Sequence, residues 1–420
     1  MRIIHGVTCF FSVPVAIHLL LLAPGICADW PQWRGPNRDG VARGVKVPQK
    51  WPKELKEEWK VTVGEGVSSP VVVGDKAFVF TRQKEDEIVL CFDLASGKGL
   101  WKSEPYPAPY QWWAGEGNFS KGPRSTPTVA DGRVYVSGVS GVLSCFEAKA
   151  GKLLWRKEAT QSPPYGGPAA PLVTDGLCIV HLGNGGRDDK DGLTAFDAAT
   201  GDVKWRFADG SRPGYGSPIL VDLAGERQVV ALTSWDLIGV SIATGKKLWA
   251  LKIDGSEKNS TPLTYRDLII FADYKERPRA IRLEKTDKGI TPREVWKGDG
   301  PTPYMNSPVI QGDHMFGMSA RGAGCFFCLD PRTGKTLWES NQRQVFGYAS
   351  VLSAGNVLLF LTSNGRLVVV KSTGEDYEPI AEYVVSDRQT WPHPVFLGDR
   401  ILIKDDTTLR CLRIEPDGKE

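Results

Sequence analysis

Few residues in this sequence have the types and spacing that catalysis or metal binding requires. The 420 residues include 5 histidines and 8 cysteines, and the histidines take part in no Ser-His-Asp or zinc-binding motif. Cys325 and Cys328 form a Cys-x-x-Cys pair, but on a strand their side chains would point to opposite faces. The acidic loop 183–192 lacks the one-three-five spacing of a calcium loop. The sequence therefore predicts no catalytic residue and no metal site.

A second set of candidates consists of polar and aromatic residues that interrupt a repeated sequence pattern. Eight short openings recur along the chain, most of them a pair of small or polar residues followed by proline. Larger or more polar residues stand in or just before several openings, and departures from a repeat are where specificity can be encoded. Each one alone can be explained by packing, whereas the group is consistent with binding. These candidates for ligand or partner binding are Arg124, Tyr215, Asn259, Met305, Asn306, Tyr348, Trp391 and His393.

A long aromatic insertion, residues 103–123, lies between two of these openings. It adds Trp112 and Trp113 to the candidates for binding, because exposed aromatic loops can stack on sugars, quinones or peptides. The alternative is a lid that packs on its own scaffold.

The candidate residues are positioned by a repeat whose clearest copy is 195–205: a small residue, an acid, a Thr-Gly turn and a tryptophan. The glycine accepts positive φ, which a tight turn between antiparallel strands needs. The tryptophan suits a seam between similar sheets, because it buries a large area and carries one N–H. We predict a structural docking role for Trp59, Trp101, Trp155, Trp205, Trp249, Trp296 and Trp338.

The cysteines follow the same repeat. Cys91, Cys145, Cys328 and Cys411 stand at the position that is Ala195 in the clearest copy. Small buried residues on strands therefore explain them better than disulfides do.

Each opening is followed by an alternating strand, a turn and further strands, so the unit has four strands in roughly 42–57 residues. The last unit stops after its third strand, 409–414, and the strand around Trp59 has no unit of its own. The sequence predicts an all-β, eight-bladed β-propeller of four-stranded antiparallel blades, closed by the N-terminal strand completing the last blade. Seven blades is the alternative if a degenerate unit, the fifth or the seventh, does not form.

The ends of the chain have different characters. Residues 1–28 combine Arg2, an apolar run and a small residue at Ala28, which is typical of a secretory signal peptide. An uncleaved anchor and lipid attachment at Cys27 are the alternatives. We assign 29–55 to an extended brace that packs on the body, 56–414 to one propeller domain and 415–420 to a tail. The formal net charge of +3 is not the strongly basic charge that is typical of a nucleic-acid-binding protein.

The repeat resembles that of the pyrroloquinoline-quinone-like (PQQ-like) propellers over residues 56–414. The stretches 30–40 and 122–127 also look like exported bacterial propellers common in planctomycetes. One branch of the superfamily is similar to BamB, a non-catalytic subunit of outer-membrane protein assembly. The other comprises quinoprotein dehydrogenases, in which quinone and calcium occupy the central cavity.

The resemblance implies an exported, non-catalytic binding or assembly propeller in the periplasm or cell envelope. The alternatives are a quinone-dependent alcohol or sugar oxidoreductase and a glycan-binding propeller. The adjacent cysteine pair of the quinoprotein alcohol dehydrogenases is missing, and no calcium ligands can be mapped, so quinone with calcium is disfavoured. We expect envelope proteins or a small ligand as partners, a monomer, and no membrane-spanning domain beyond the signal segment.

Overall fold

The computed structural model describes residues 29–109, 120–163, 167, 169–185, 191–209, 211–253, 259–272, 277–303, 305–319, 324–341 and 348–415. Strands in these residues form eight sheets. Each sheet contains a four-stranded antiparallel blade, and two of the sheets carry one additional strand. The predicted all-β, eight-bladed propeller is confirmed. No helix in the described ranges is long and apolar enough to cross a membrane.

The strands of blades 1 to 4 follow one another along the chain. Blade 1 contains Val71–Val73, Lys76–Gln83, Asp86–Asp93 and Gly99–Lys102, with Tyr106–Pro107 added beside the third strand; blade 2 contains Thr128–Ala130, Arg133–Ser137, Val142–Glu147 and Leu153–Glu158; blade 3 contains Leu172–Thr174, Leu177–Leu182, Gly192–Asp197 and Val203–Phe207; blade 4 contains Ile219–Leu223, Glu226–Leu232, Asp236–Ser241 and Lys247–Lys252.

Blades 5 to 8 continue the order, and the last is built from both ends of the chain. Blade 5 contains Leu263–Tyr265, Leu268–Phe271, Arg279–Thr286 and Gly289–Lys297; blade 6 contains Val309–Gln311, His314–Ser319, Cys325–Leu329 and Thr336–Glu339; blade 7 contains Ala349–Ala354, Val357–Thr362, Arg366–Lys371 and Pro379–Val384, with Val41–Ala42 parallel to its first strand; blade 8 contains Val395–Phe396, Arg400–Lys404, Thr408–Arg413 and Lys56–Thr62.

The ring is closed by the pairing of Lys56–Thr62 with Thr408–Arg413, in which Trp59 lies opposite Cys411. Glu58 adds ion pairs to Arg400, at 2.7 Å, and to Arg413. Burial raises the pKa of Glu58, but these two arginines outweigh it and hold the pKa below its ordinary value. Since closure removes the exposed strand edges that an open array would leave, this pairing completes the fold.

The small residue of each repeat lies directly opposite the tryptophan on the neighbouring strand. Ala195 faces Trp205, Gly239 faces Trp249 and Cys145 faces Trp155, each beside a register shift. A Cβ on Gly239 would lie only 2.1 Å from Nε1 of Trp249. The small residue ten positions before each tryptophan is therefore explained by packing, because a larger side chain there would collide with the indole on the neighbouring strand.

Six of the seven repeat indoles donate a hydrogen bond to the next blade. Trp205 Nε1 donates to the carbonyl of Ile242 at 2.8 Å, and its ring lies against Gly245, whose φ is +69°. Equivalent bonds to the following blade come from the indoles of Trp59, Trp101, Trp155, Trp296 and Trp338.

Two joints lack the glycine turn, and the aromatic side chain bonds to another acceptor there. Blade 5 carries a long hairpin around 286–289, and Trp249 Nε1 instead donates to Gln228 within its own blade at 2.6 Å. In blade 8 the third and fourth strands come from opposite ends of the chain, so no turn joins them. There the Tyr383 hydroxyl donates to the carbonyl of Pro52 at 2.6 Å. The hydrophobic core lies between neighbouring blades, for example between Phe80 and Phe146.

We predict that Trp205→Ala lowers the free energy of unfolding by about 3–5 kcal/mol, because it empties a packed seam. The measurement is urea unfolding followed by circular dichroism. Trp235→Ala is the matched control, since Trp235 is 57% exposed and its removal should change stability by less than about 0.5 kcal/mol. Equal destabilisation by the two substitutions would show that the seam contact is not stabilising.

Candidate functional site

The first strand of each blade lines the central axis and begins at one of the eight openings. The openings and the loops between second and third strands therefore share one face of the ring, which we call the mouth face. The turns between first and second strands lie on the opposite face. The predicted binding residues at the openings belong to the mouth face.

Hydrogen bonds join successive openings into an axial belt. A backbone N–H of one blade donates to a side-chain hydroxyl of the next, at 2.8–3.2 Å: His393 to Ser69, Ser69 to Thr126, Ala170 to Ser217, Ser217 to Thr261 and Thr261 to Ser307. The belt explains why serine and threonine recur at the second position of an opening. The sequence alone identifies these residues only as small scaffold positions.

The N-terminal segment enters the axis from the opposite face. The Asp29 carboxylate accepts from the backbone N–H of Gly74, in a turn on that face, at 2.8 Å. Trp30 pairs with Val72 of the first strand of blade 1, and Val41–Ala42 pairs with blade 7 on the way out. The chain thus makes a loop through the channel, and we call residues 30–42 the axial plug. Between its two ends the plug contacts blades 2, 3, 5, 6 and 8.

Those contacts reach around the ring. The carbonyl of Pro31 accepts from Val129 of blade 2 at 2.8 Å, and Trp33 Nε1 donates to Thr261 of blade 5 at 3.2 Å. The Trp33 ring meets His393 of blade 8 edge-on, with the ring centroids 4.5 Å apart. The predicted brace is therefore a plug in the channel over residues 30–42. Residues 43–55 pack against blades 7 and 8, where Trp51 lies near Tyr383 and Phe396.

Two buried arginines hold the tip of the plug. Arg34 donates from Nη1 to the carbonyl of Ser307 at 2.5 Å and from Nη2 to the carbonyl of Pro308 in blade 6. Arg38 donates to the carbonyls of Pro171 at 2.9 Å and Ala170 at 3.0 Å in blade 3. Burial lowers the pKa of Arg34 to about 10 and that of Arg38 to about 9, so both remain charged at neutral pH.

The arginines were missed because nothing in the sequence repeats around them. Their one signal is the dense, non-alternating stretch 33–38, which carries a tryptophan and two arginines in six residues. Pro36 and Asn37 at the tip are exposed. The plug therefore forms the floor of the mouth.

The structure brings two of the predicted binding residues together. Tyr348 of blade 7 and Trp391 of blade 8 are both half-buried, with ring centroids 4.8 Å apart. His393, two residues after Trp391, is buried. Burial and the nearby charge of Arg34 hold the pKa of His393 well below its ordinary value. Two aromatic pairs, Tyr348 with Trp391 and Trp33 with His393, thus lie near the boundary between blades 7 and 8.

The other predicted residues are separate from these pairs. Asn306 is buried, and its Nδ2 donates to the carbonyl of Met318 at 2.7 Å, so its amide is used within blade 6. Four others are half-buried and lie at the openings of other blades: Arg124, Tyr215, Asn259 and Met305. Trp112 and Trp113 lie outside the described residues.

A buried carboxylate anchors the start of the aromatic insertion. Glu87 accepts from the Tyr106 hydroxyl at 2.6 Å and from the backbone N–H of Val139 in blade 2 at 3.0 Å. Burial raises the pKa of Glu87 to about 6, although both hydrogen bonds act in the other direction. The start of the insertion is thus tied to blades 1 and 2.

Known proteins share this repeat and this ring. A family model described as outer membrane protein assembly factor BamB matches residues 84–340. The chain belongs to this family of PQQ-like propellers. A BamB from Burkholderia pseudomallei is 27% identical over 338 residues, which is 78% of this chain and 69% of that protein.

Quinoprotein enzymes also resemble this PQQ-like propeller, over shorter stretches. The quinohemoprotein alcohol dehydrogenase ADH IIB of Pseudomonas putida is 35% identical over 122 residues, 28% of this chain and 17% of the enzyme. The matches to the first three such relatives span only about a sixth to a third of their lengths. The crystal structure of BamB from Moraxella catarrhalis shares the fold with a TM-score of 0.64 at 15% identity, covering 87% of this chain and 100% of that one.

The quinone and calcium of the dehydrogenase branch do not fit the described residues. The plug occupies the axis at the level of the first strands, and Nη1 and Nη2 of both plug arginines bond to protein oxygens. In the part of the chain that the structure describes, no group of three His, Cys, Asp or Glu side chains is placed to hold a metal. We therefore derive no reaction step through the quinone.

We predict that Glu87→Gln removes a pH dependence of stability. Folded Glu87 keeps its proton up to about pH 6, against 4.5 for the unfolded chain, so the free energy of unfolding falls as pH rises through this window. The shift corresponds to about 2 kcal/mol. A glutamine can accept from the Val139 N–H through its oxygen and donate from its NH2 to the Tyr106 oxygen, and it does not titrate. The stability of this variant, measured by thermal unfolding, should therefore not fall between about pH 4.5 and pH 6.

The control for this prediction is Glu85→Gln, at an exposed neighbour. This variant should retain the fall in stability between about pH 4.5 and pH 6. An unchanged profile in the Glu87 variant would contradict the assignment.

Proposed function

We propose that this protein is an exported, non-catalytic propeller that binds envelope proteins and acts as an assembly scaffold. Its binding surface is the mouth face, including the exposed tip of the axial plug. The observation that carries the proposal is the plug itself, because a channel filled by the chain's own residues leaves recognition to the surface above it.

The use of the polar groups near the axis supports a binding role. The hydroxyls of the axial belt, the Nδ2 of Asn306 and the Nη atoms of both plug arginines all bond to protein atoms. These bonds fix the plug and the openings in place, as a scaffold requires. The mouth face presents a large exposed aromatic side chain, Trp235, which is 57% exposed, and tryptophan is enriched at protein-binding surfaces.

The relatives support the same proposal. BamB proteins are named as outer membrane protein assembly factors, and the match to one of them extends over 78% of this chain. The quinoprotein relatives keep a quinone-dependent alcohol or sugar oxidoreductase as the alternative. Glycan binding at the aromatic residues of the mouth is a third option.

Site-specific photo-crosslinking in the producing cells tests the scaffold proposal. A crosslinking amino acid replaces Asn37 at the plug tip or Trp235, both exposed on the mouth face. Asn356, exposed in a turn on the opposite face, is the control position. We expect one defined envelope protein to be crosslinked from the first two positions, and not from the control position.

A second measurement addresses the alternative. The purified chain is titrated with the quinone and calcium, and alcohol-dependent dye reduction is recorded. A one-to-one complex with dye reduction would establish the oxidoreductase and overturn the scaffold proposal. Identical crosslinks from all three positions, or none from the mouth face, would also contradict it.

A further inference from the structure

The axial belt has two gaps among the described residues. One lies between blades 2 and 3, where Ala170 has no hydroxyl, and the wider one lies between blades 6 and 8. Ser307, Ser350 and His393 occupy the second position of three successive openings, but no belt bond joins them in the described ranges. Two buried atoms here have no hydrogen-bond partner among the described residues: Ser350 Oγ and His393 Nδ1. Buried polar groups without a partner are rare and indicate a missing water, ion or ligand.

The plug contributes a third such atom to the same sector. Arg34 is fixed by its two Nη atoms to the carbonyls of blade 6, while its Nε is buried without a partner in the described part of the chain. Trp33, next to Arg34 in the chain, packs its ring 4.5 Å from that of His393 and bounds the sector on the axial side. The unpartnered groups thus come from the plug and from blades 7 and 8.

The sector carries an excess of positive charge. Neither Arg34 nor Arg38 forms an ion pair with a described carboxylate, although both are buried. Asp39 is close enough for its charge to act on Arg34, but its carboxylate bonds to Arg43 at 2.7 Å and to the backbone N–H of Val41 at 3.1 Å. Of the two, Arg34 lies at this sector, whereas Arg38 is held by blade 3. A buried cation without a directly paired counter-charge is costly, and a bound anion would offset that cost.

An aromatic cover lies above the sector. Tyr348 and Trp391 each stand two residues before an unpartnered group, Ser350 and His393. Their ring centroids lie 4.8 Å apart across the boundary between blades 7 and 8. Half-buried rings at this place screen the sector from bulk water while leaving it next to the mouth, and low solvent access strengthens a charge-assisted hydrogen bond.

We propose that this sector binds one small oxyanion, a carboxylate or a phosphate-type group, between Arg34, Ser350 and His393. Arg34 Nε–H, the Ser350 hydroxyl and a protonated Nδ1 of neutral His393 are three donors, and hydrogen bonds to an anion are stronger than those to a neutral acceptor. This site goes beyond the proposed function and is independent of it, because no partner protein is needed to occupy it.

Isothermal titration of the purified full chain tests the site. The probes are inorganic phosphate, sulfate, acetate and a short peptide with a free C-terminal carboxylate, with its C-terminal amide for comparison. Ionic strength is held constant with chloride. We expect saturable binding of at least one oxyanion with one site per chain, and the ranking shows whether free ions or a peptide terminus is the ligand.

Substitutions assign the binding to the sector. Ser350→Ala should weaken the affinity about tenfold, the effect of one hydrogen bond to a charged group, without a change in the near-ultraviolet circular dichroism. Ser372→Ala is the matched control, because Ser372 Oγ is another unpartnered hydroxyl among the described residues of blade 7 but lies on the opposite face. It should bind like the unmodified chain.

His393→Phe, which keeps a ring beside Trp33, should weaken binding to a similar degree. The absence of saturable binding for every probe would refute the site, since water alone would then occupy the sector. Unchanged affinity in Ser350→Ala would refute it as well.

Discussion

The propeller depends on a contact that recurs at most seams, an indole of one blade seated on a turn of the next. The indole needs a small residue opposite it and a glycine turn beneath it, and the chain supplies both at fixed offsets. Where the turn is absent, at blades 5 and 8, Trp249 and Tyr383 bond to Gln228 and Pro52 instead. An aromatic side chain with a satisfied polar group is therefore a requirement of every joint, whatever acceptor is at hand.

This requirement also accounts for the cysteines. Cys91, Cys145, Cys328 and Cys411 lie opposite Trp101, Trp155, Trp338 and Trp59, where a larger residue would collide with the ring. Burial raises the pKa of each of these thiols to about 12. A thiol with so high a pKa is a poor nucleophile, so its size explains its presence.

A second constraint acts along the axis. Eight first strands converge there, and their openings bring polar backbone groups into a space closed to bulk solvent. Serine and threonine hydroxyls satisfy part of this demand through the axial belt, and the plug arginines bind carbonyls of blades 3 and 6. The plug is thus a structural component of the ring.

The sequence was sufficient for the repeat, the number of blades and closure around Trp59, because each depends on local, periodic spacing. Interactions without a period could not be predicted in this way. Arg34 bonds to residues 273 and 274 positions away, and no local sequence pattern relates residues so far apart. The candidate His393 was found as a departure from the repeat, but its neighbours Trp33 and Arg34 were not, since the segment that brings them there enters from the opposite face.

The most direct test is an experimental structure of the full chain, crystallised with the quinone and calcium present. We expect continuous density for residues 30–42 in the channel, with Arg34 on the carbonyls of Ser307 and Pro308, and no quinone on the axis. Quinone on the axis, with those residues displaced from the first strands, would contradict this account of the plug.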